Sequence, residues 1–151
     1  LFGCYVDRGK RPMKYLHTMI RILDPDAALD FFVNKMGMKV IRESPNEAAR
    51  YTNYFLAYSD DDSPLELTYN WDESEPYQTG RFFGHLAYEV DNIYEFCENL
   101  QANGVTINRP PRDGNMAFVK APDGQSIELL QKGDPLPIQE PWASMLNDGS
   151  W

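Results

Sequence analysis

The chain carries only two cysteines in 151 residues, Cys4 and Cys97. Two cysteines, far apart, build neither a disulfide framework nor a thiolate zinc site, so a reduced, cytoplasmic protein is expected. Long apolar runs are also missing. None approaches the roughly 18 residues of a membrane-spanning helix, the first residues carry no signal-peptide hydrophobic stretch, and no membrane partner is expected. Positive charge is scarce: 14 Lys and Arg stand against 23 Asp and Glu, for a net charge of -9. A nucleic-acid binder gathers positive charge on one face, so that class of partner is not expected either. The hydrophobic share of 42% is ordinary, and with this length it suits one domain or two very small ones sharing a core. Histidine is equally rare, with two copies, His17 and His85.

What is present falls into an order that repeats. Residues 1–13 read as an N-terminal extension without a clear period, with Met13 a candidate native start. Residues 14–23 alternate and predict a strand. Asp24-Pro25-Asp26 predicts a cap and first turn for a helix over 27–35, which Gly37 stops. Strands are predicted over 39–43, 51–59 and 65–71, the last two separated by the polar turn at Asp60 to Pro64. A second series follows: a strand over 83–90, an Asp91-Asn92 cap, a helix over 93–103 stopped by Gly104, then strands over 105–109, 116–120 and 125–131. Pro122-Asp123-Gly124 predicts the last hairpin turn.

The two series match element by element. Histidine opens each first strand, Asp begins each helix, Gly ends it, and each last strand has an apolar-Glu-Leu centre, Leu65-Glu66-Leu67 and Ile127-Glu128-Leu129. A duplicated βαβββ unit of α+β class is expected, with repeats over 14–71 and 81–132 forming one domain of curved mixed sheets. The tail, 133–151, holds three prolines that disfavour regular structure. Its Trp142 and Trp151 would be costly to leave wet, so the tail is expected to dock on the body or on a partner subunit.

Both histidines occupy one position of the repeat, and so do Glu66 and Glu128. A carboxylate inside an apolar strand requires a partner, because burying an unpaired charge is expensive. On residue type alone, each of the four is more often an ordinary core or surface residue; their repeated placement favours a common purpose. If the repeats, or two subunits, face each other, two imidazoles and two carboxylates suit a divalent transition metal with two positions left open. A closed structural zinc site would instead favour thiolates.

At these residues the sequence resembles the glyoxalase I family of the vicinal-oxygen-chelate superfamily. The resemblance runs from about residue 14 to 131 and is carried by LHTMIRILD, FFVNKMGMK, LELTYNW, GHLAYEVDN and APDGQSIELL, in that order. It implies the glyoxalase/bleomycin-resistance-like fold, with His17, Glu66, His85 and Glu128 as metal ligands. It further implies a homodimer with shared active sites, one subunit supplying the first His and Glu and the other the second pair. Arg21 and Asn70 match positions that hold the glutamyl end of glutathione, and Arg81 matches an arginine that contacts the peptide in some members. Histidine as first ligand and the short chain resemble the bacterial class, which prefers nickel or cobalt over zinc. Ala121 departs from the usual Asp-Pro-Asp-Gly turn, beside the ligands but not among them.

The implied activity is that of a lactoylglutathione lyase. The hemithioacetal of methylglyoxal and glutathione would become S-lactoylglutathione by proton transfer through an enediolate. Such a carbon acid needs a base in reach and stabilised oxyanion charge. Glu128 is the expected base and Glu66 serves the opposite face. Two other enzyme types share the fold. Extradiol dioxygenases need three open positions, which Glu66 would crowd, and coenzyme A thioester epimerases usually differ at the Glu66 strand. A metal-free small-molecule-binding resistance protein would have no need of four repeat-matched ligands.

Overall fold

The computed structural model describes residues 13–151. The extension expected over 1–13 therefore lies outside the described residues except for Met13. Two sheets carry the fold. The first has the order β1-β4-β3-β2, with β1 Thr18–Ile22, β2 Lys39–Asn46, β3 Tyr51–Ala57 and β4 Leu65–Asn70. The second has the order β5-β7-β6, with β5 Leu86–Val90, β6 Met116–Lys120 and β7 Ser126–Gln131. In each sheet the first and last strands of a repeat pair in parallel, and the remaining pairs are antiparallel. A parallel pair needs a crossover, and each repeat supplies a helical one.

Those crossovers start where the caps predict. Asp24 Oδ1 accepts from the amides of Asp26 and Ala27, and Pro25 opens α1, Pro25–Leu29. In the second repeat Asn92 Oδ1 accepts from Tyr94 and Glu95 to open α2, Ile93–Ala102. Gly37 and Gly104 take φ of +77° and +82° to turn the chain out of each crossover. The first crossover differs from the predicted single α-helix: over Asp30–Lys35 it widens into a π-helical turn, in which the Met36 amide donates to Phe31 O. The wider turn brings consecutive residues Phe31 and Phe32 into the core together, edge to face at 5.0 Å.

Residues alternate on each sheet. Ile20 and Ile22, Leu65 and Leu67, Ile127 and Leu129, with Ala117 and Val119, are buried in one cluster with Phe32, Ile93 and Leu100. Burying one such side chain stabilises the fold by about 1.5–3 kcal/mol. Polar contacts at the end of β1 also tie the repeats together. The Leu23 amide donates to Asp123 Oδ1 at 3.1 Å, and Gln125 Nε2 donates to Arg21 O at 3.1 Å. The hairpin turn of the second repeat thus clamps the end of β1.

One predicted strand does not form. Over residues 105–109 only an isolated bridge, Arg109 to Phe118, is present. Two prolines follow at once and remove ladder donors, and Asn108 O accepts the amide of Asp148 instead. The other strands stand near their predicted bounds, with β1 four residues shorter at its N-terminal end than expected, so that His17 precedes it.

The tail packs on the second repeat, as its tryptophans predict. Trp142 is 1% exposed, in a single 3₁₀ turn, Trp142–Ser144, and stacks on Tyr94. Tyr94 Oη donates to Pro137 O, Arg112 donates to Met145 O and Asn147 Oδ1, and Asn108 exchanges hydrogen bonds with Asp148.

Candidate functional site

The parallel pairing of first and last strands fixes the candidate site. Thr18 pairs with Leu65 and Met19 with Glu66; Leu86 pairs with Ile127 and Ala87 with Glu128. In both repeats, therefore, the histidine sits one residue before its strand, and the glutamate is the neighbour one step on, on the same sheet face. His17 Nε2 stands 2.8 Å from Glu66 Oε2, and His85 Nε2 stands 2.6 Å from Glu128 Oε2. The imidazoles are about two-fifths exposed and the carboxylates nearly buried. Each pair thus opens from a buried acid to an accessible ring.

An aromatic residue braces each imidazole. Phe55 pairs with Glu66 across β3 and β4, and Phe118 pairs with Glu128 across β6 and β7. His17 meets Phe55 edge to face at 5.8 Å, and His85 meets Phe118 the same way at 5.6 Å. The neighbours beyond match too. Arg42 pairs with Phe55 and lays its guanidinium 4.0 Å over the ring, while Arg109 bridges to Phe118. Arg109 does not cover Phe118; its side chain donates to Met116 O and meets Asp113. Trp151 stacks on Phe118 instead, at 5.9 Å and 24°.

Beyond the histidines the two faces diverge in chemistry. Arg21 pairs with Thr68 on the His17 side of the first sheet, and Asn70 follows two residues along β4. Thr68 donates to Asn53 Oδ1, and Asn70 Nδ2 donates to Tyr77 Oη, so this face is polar and hydrogen-bonded. The corresponding face of the second sheet places Met116 opposite Leu130 and Phe118 beside Glu128, and carries Glu89 where the first sheet has Arg21.

The structure brings His17 to Glu66 and His85 to Glu128, and sets Arg21 and Asn70 on the same face as the first pair. It does not bring the four together in one chain: among the described residues no cluster of three or more His, Cys, Asp or Glu side chains is suited to a metal. The chain carries two separate His–Glu pairs. Arg81 is exposed in the turn before His85 and makes no ion pair among the described residues.

The superfamily described as Glyoxalase/Bleomycin resistance protein/Dioxygenase matches residues 14–129. A lactoylglutathione lyase of Neisseria meningitidis serogroup A is 42% identical over 127 residues, covering 80% of this chain and 91% of the relative. One from Escherichia coli O157:H7 is 39% identical and covers 81% and 95%. The chain belongs to the glyoxalase I family. Among solved structures, the trypanothione-dependent glyoxalase I of Leishmania major superposes with a TM-score of 0.75 at 37% identity, covering 79% of this chain and 86% of that one. The glyoxalase I of Zea mays gives 0.73 at 33% identity, covering 80% of this chain and 45% of that longer one.

Within this glyoxalase I fold, sequence reasoning missed Phe55, Phe118, Arg42 and Trp151. The phenylalanines lie in apolar strands and read as core. Their matched offsets were the available signal, since each precedes its repeat's glutamate by one hairpin. Met116, which sequence left between core and pocket rim, lies on the half-site face. Among the described residues no helix is long and apolar enough to cross a bilayer.

Proposed function

We propose that the chain is a cytoplasmic lactoylglutathione lyase acting as a homodimer, each active site completed by two half-sites from different protomers. The observation that carries this reading is the identical register of the two His–Glu pairs in two parallel strand pairs. Each pair offers one imidazole nitrogen and one carboxylate oxygen on an open face, a donor set fitted to half of a divalent-metal site. The curated relatives that share the family carry this activity by name.

A divalent ion held by His17 and Glu66 of one protomer and His85 and Glu128 of its partner, nickel or cobalt in preference to zinc, would supply positive charge to the developing oxyanion. The chain's own residues do the rest. Arg21 and Asn70 anchor the glutamyl end of glutathione on the polar face, with Tyr77 orienting the Asn70 amide, and Arg81 contacts the peptide. Anchoring one end of the adduct limits the motion of the reacting carbon. Glu128 takes the proton from C1 of the hemithioacetal and returns it at C2, while Glu66 serves the opposite face. The hydroxyl proton on the C1 oxygen passes to the C2 oxygen, so C1 ends as the thioester carbonyl and C2 as the carbinol, and no external oxidant or reductant is consumed. Phe55 and Phe118 hold the imidazoles in plane beside these carboxylates.

The test is Glu128→Gln, assayed with methylglyoxal and glutathione after reconstitution of apo protein with nickel, cobalt or zinc. A loss of about 10²–10⁴-fold in kcat with an intact dimer is expected for a general base. Near-normal turnover by the variant would remove Glu128 from the mechanism, and full recovery of native apo protein with zinc alone would reject the nickel–cobalt preference.

A further inference from the structure

The tail is anchored along its length, and its last residue reaches a half-site. The Leu136 amide donates to Gly114 O at 3.0 Å, Trp142 is buried against Tyr94, Arg112 holds Met145 and Asn147, and Asn108 grips Asp148. These contacts deliver the Trp151 indole onto Phe118, whose ring in turn meets the His85 imidazole. The result is a ladder of three rings, Trp151, Phe118 and His85, at successive centroid spacings of 5.9 and 5.6 Å. Trp151 remains 42% exposed, so one side of the indole is free. Around the ladder, Met116 and Leu130 continue the apolar patch.

The matching place in the first repeat holds a cation, Arg42 over Phe55. The two faces that would meet in one active site therefore differ around these rings: a guanidinium covers Phe55, and an indole covers Phe118. The adduct has the same division, with a charged peptide on the sulfur and a hydrocarbon substituent on the carbonyl carbon. The patch of Trp151, Phe118, Met116 and Leu130 can take that substituent without leaving polar groups unpaired.

We propose that Trp151 is a specificity-determining residue, which with Phe118 forms an aromatic wall for the carbonyl substituent and favours 2-oxoaldehydes bearing a planar aromatic group. This rests on the lactoylglutathione lyase reading. An aromatic pair is worth about 0.5–1.5 kcal/mol beyond burial, which corresponds to a factor of about 2–10 in rate.

The experiment compares kcat/KM for the glutathione hemithioacetals of phenylglyoxal and methylglyoxal in the full chain, Trp151→Ala and Trp151→Phe. In Trp151→Ala the phenylglyoxal-to-methylglyoxal ratio is expected to fall about 2–10-fold, and Trp151→Phe to recover most of it. Circular dichroism confirms that both variants are folded. A ratio in Trp151→Ala that falls by less than about twofold, below the lower end of that aromatic term, overturns the wall. If the native chain, loaded with nickel or cobalt, turns over neither adduct, the lyase reading falls and the wall with it; if it turns over both with an unmoved ratio, the wall alone falls.

Discussion

A single side chain can serve as a joint between repeats, and Asp123 does so. Its carboxylate accepts the Leu23 amide across the repeat boundary. Burial pushes its pKa above the usual carboxylate value, the Leu23 hydrogen bond pulls it back, and nearby Asp24 raises it again. An acid whose pKa is higher folded than unfolded favours the fold while protonated. That contribution is complete below the unfolded pKa and is lost as pH rises through the folded one. Asp123→Asn keeps an oxygen acceptor for Leu23 without the charge. The variant should melt at a higher temperature than the native chain at pH 7, and the difference should vanish below about pH 3, where both states hold the proton. A melting series against pH decides it; a variant less stable at neutral pH would show that the charge helps the joint. At this scale the sequence was informative where chemistry and repeat position agreed, as for His17, Glu66, His85 and Glu128. It was silent for Phe55 and Phe118, because an aromatic residue in an apolar strand looks like core until pairing register places it beside a histidine.

Elements were legible in proportion to how local their causes are. Caps, glycine stops and hairpin turns involve neighbours in sequence, and α1, α2 and the turn after β6 stand where those signals put them. The strand expected over 105–109 failed for a distant reason: its hydrogen bonds go partly to residue 148, which no local pattern announces. The π-helical turn has the same character, since two adjacent phenylalanines must both reach the core. The tail's docking depends on one such distant contact. Gly114 has φ +69°, and a Cβ there would lie 2.2 Å from Leu136 O. Gly114→Ala should destabilise the chain by about 2 kcal/mol or more, combining left-handed strain with a backbone clash. Thermal unfolding would register this as a fall of about 4–8 °C. An unchanged melting temperature would mean that the tail contributes nothing to the fold's stability.

For the whole molecule, the decisive matter is how half-sites combine. If each active site draws His17 and Glu66 from one protomer and His85 and Glu128 from the other, two inactive variants can restore one another. Glu66→Gln and Glu128→Gln are each expected to be inactive as homodimers. In a heterodimer of the two, one site carries both lesions and the other carries none. Unfolding and refolding an equal mixture should give heterodimers in half of the population, and so about one quarter of native activity, if protomers pair at random. No recovery on mixing would place each site within a single chain. Duplication itself was readable before any coordinates, because two histidines and two glutamates recur at one place in a repeated order. How the copies face each other was not, because that depends on surfaces far apart along the chain.

The parallel pairing of β1 with β4, and of β5 with β7, has a consequence for synthesis. Each histidine emerges from the ribosome at the start of its repeat and meets its glutamate only when the closing strand arrives. On the proposed metal-site reading, ion capture by a newborn chain waits on completion of a repeat, and the amino-terminal His–Glu pair is assembled before its sibling has been translated.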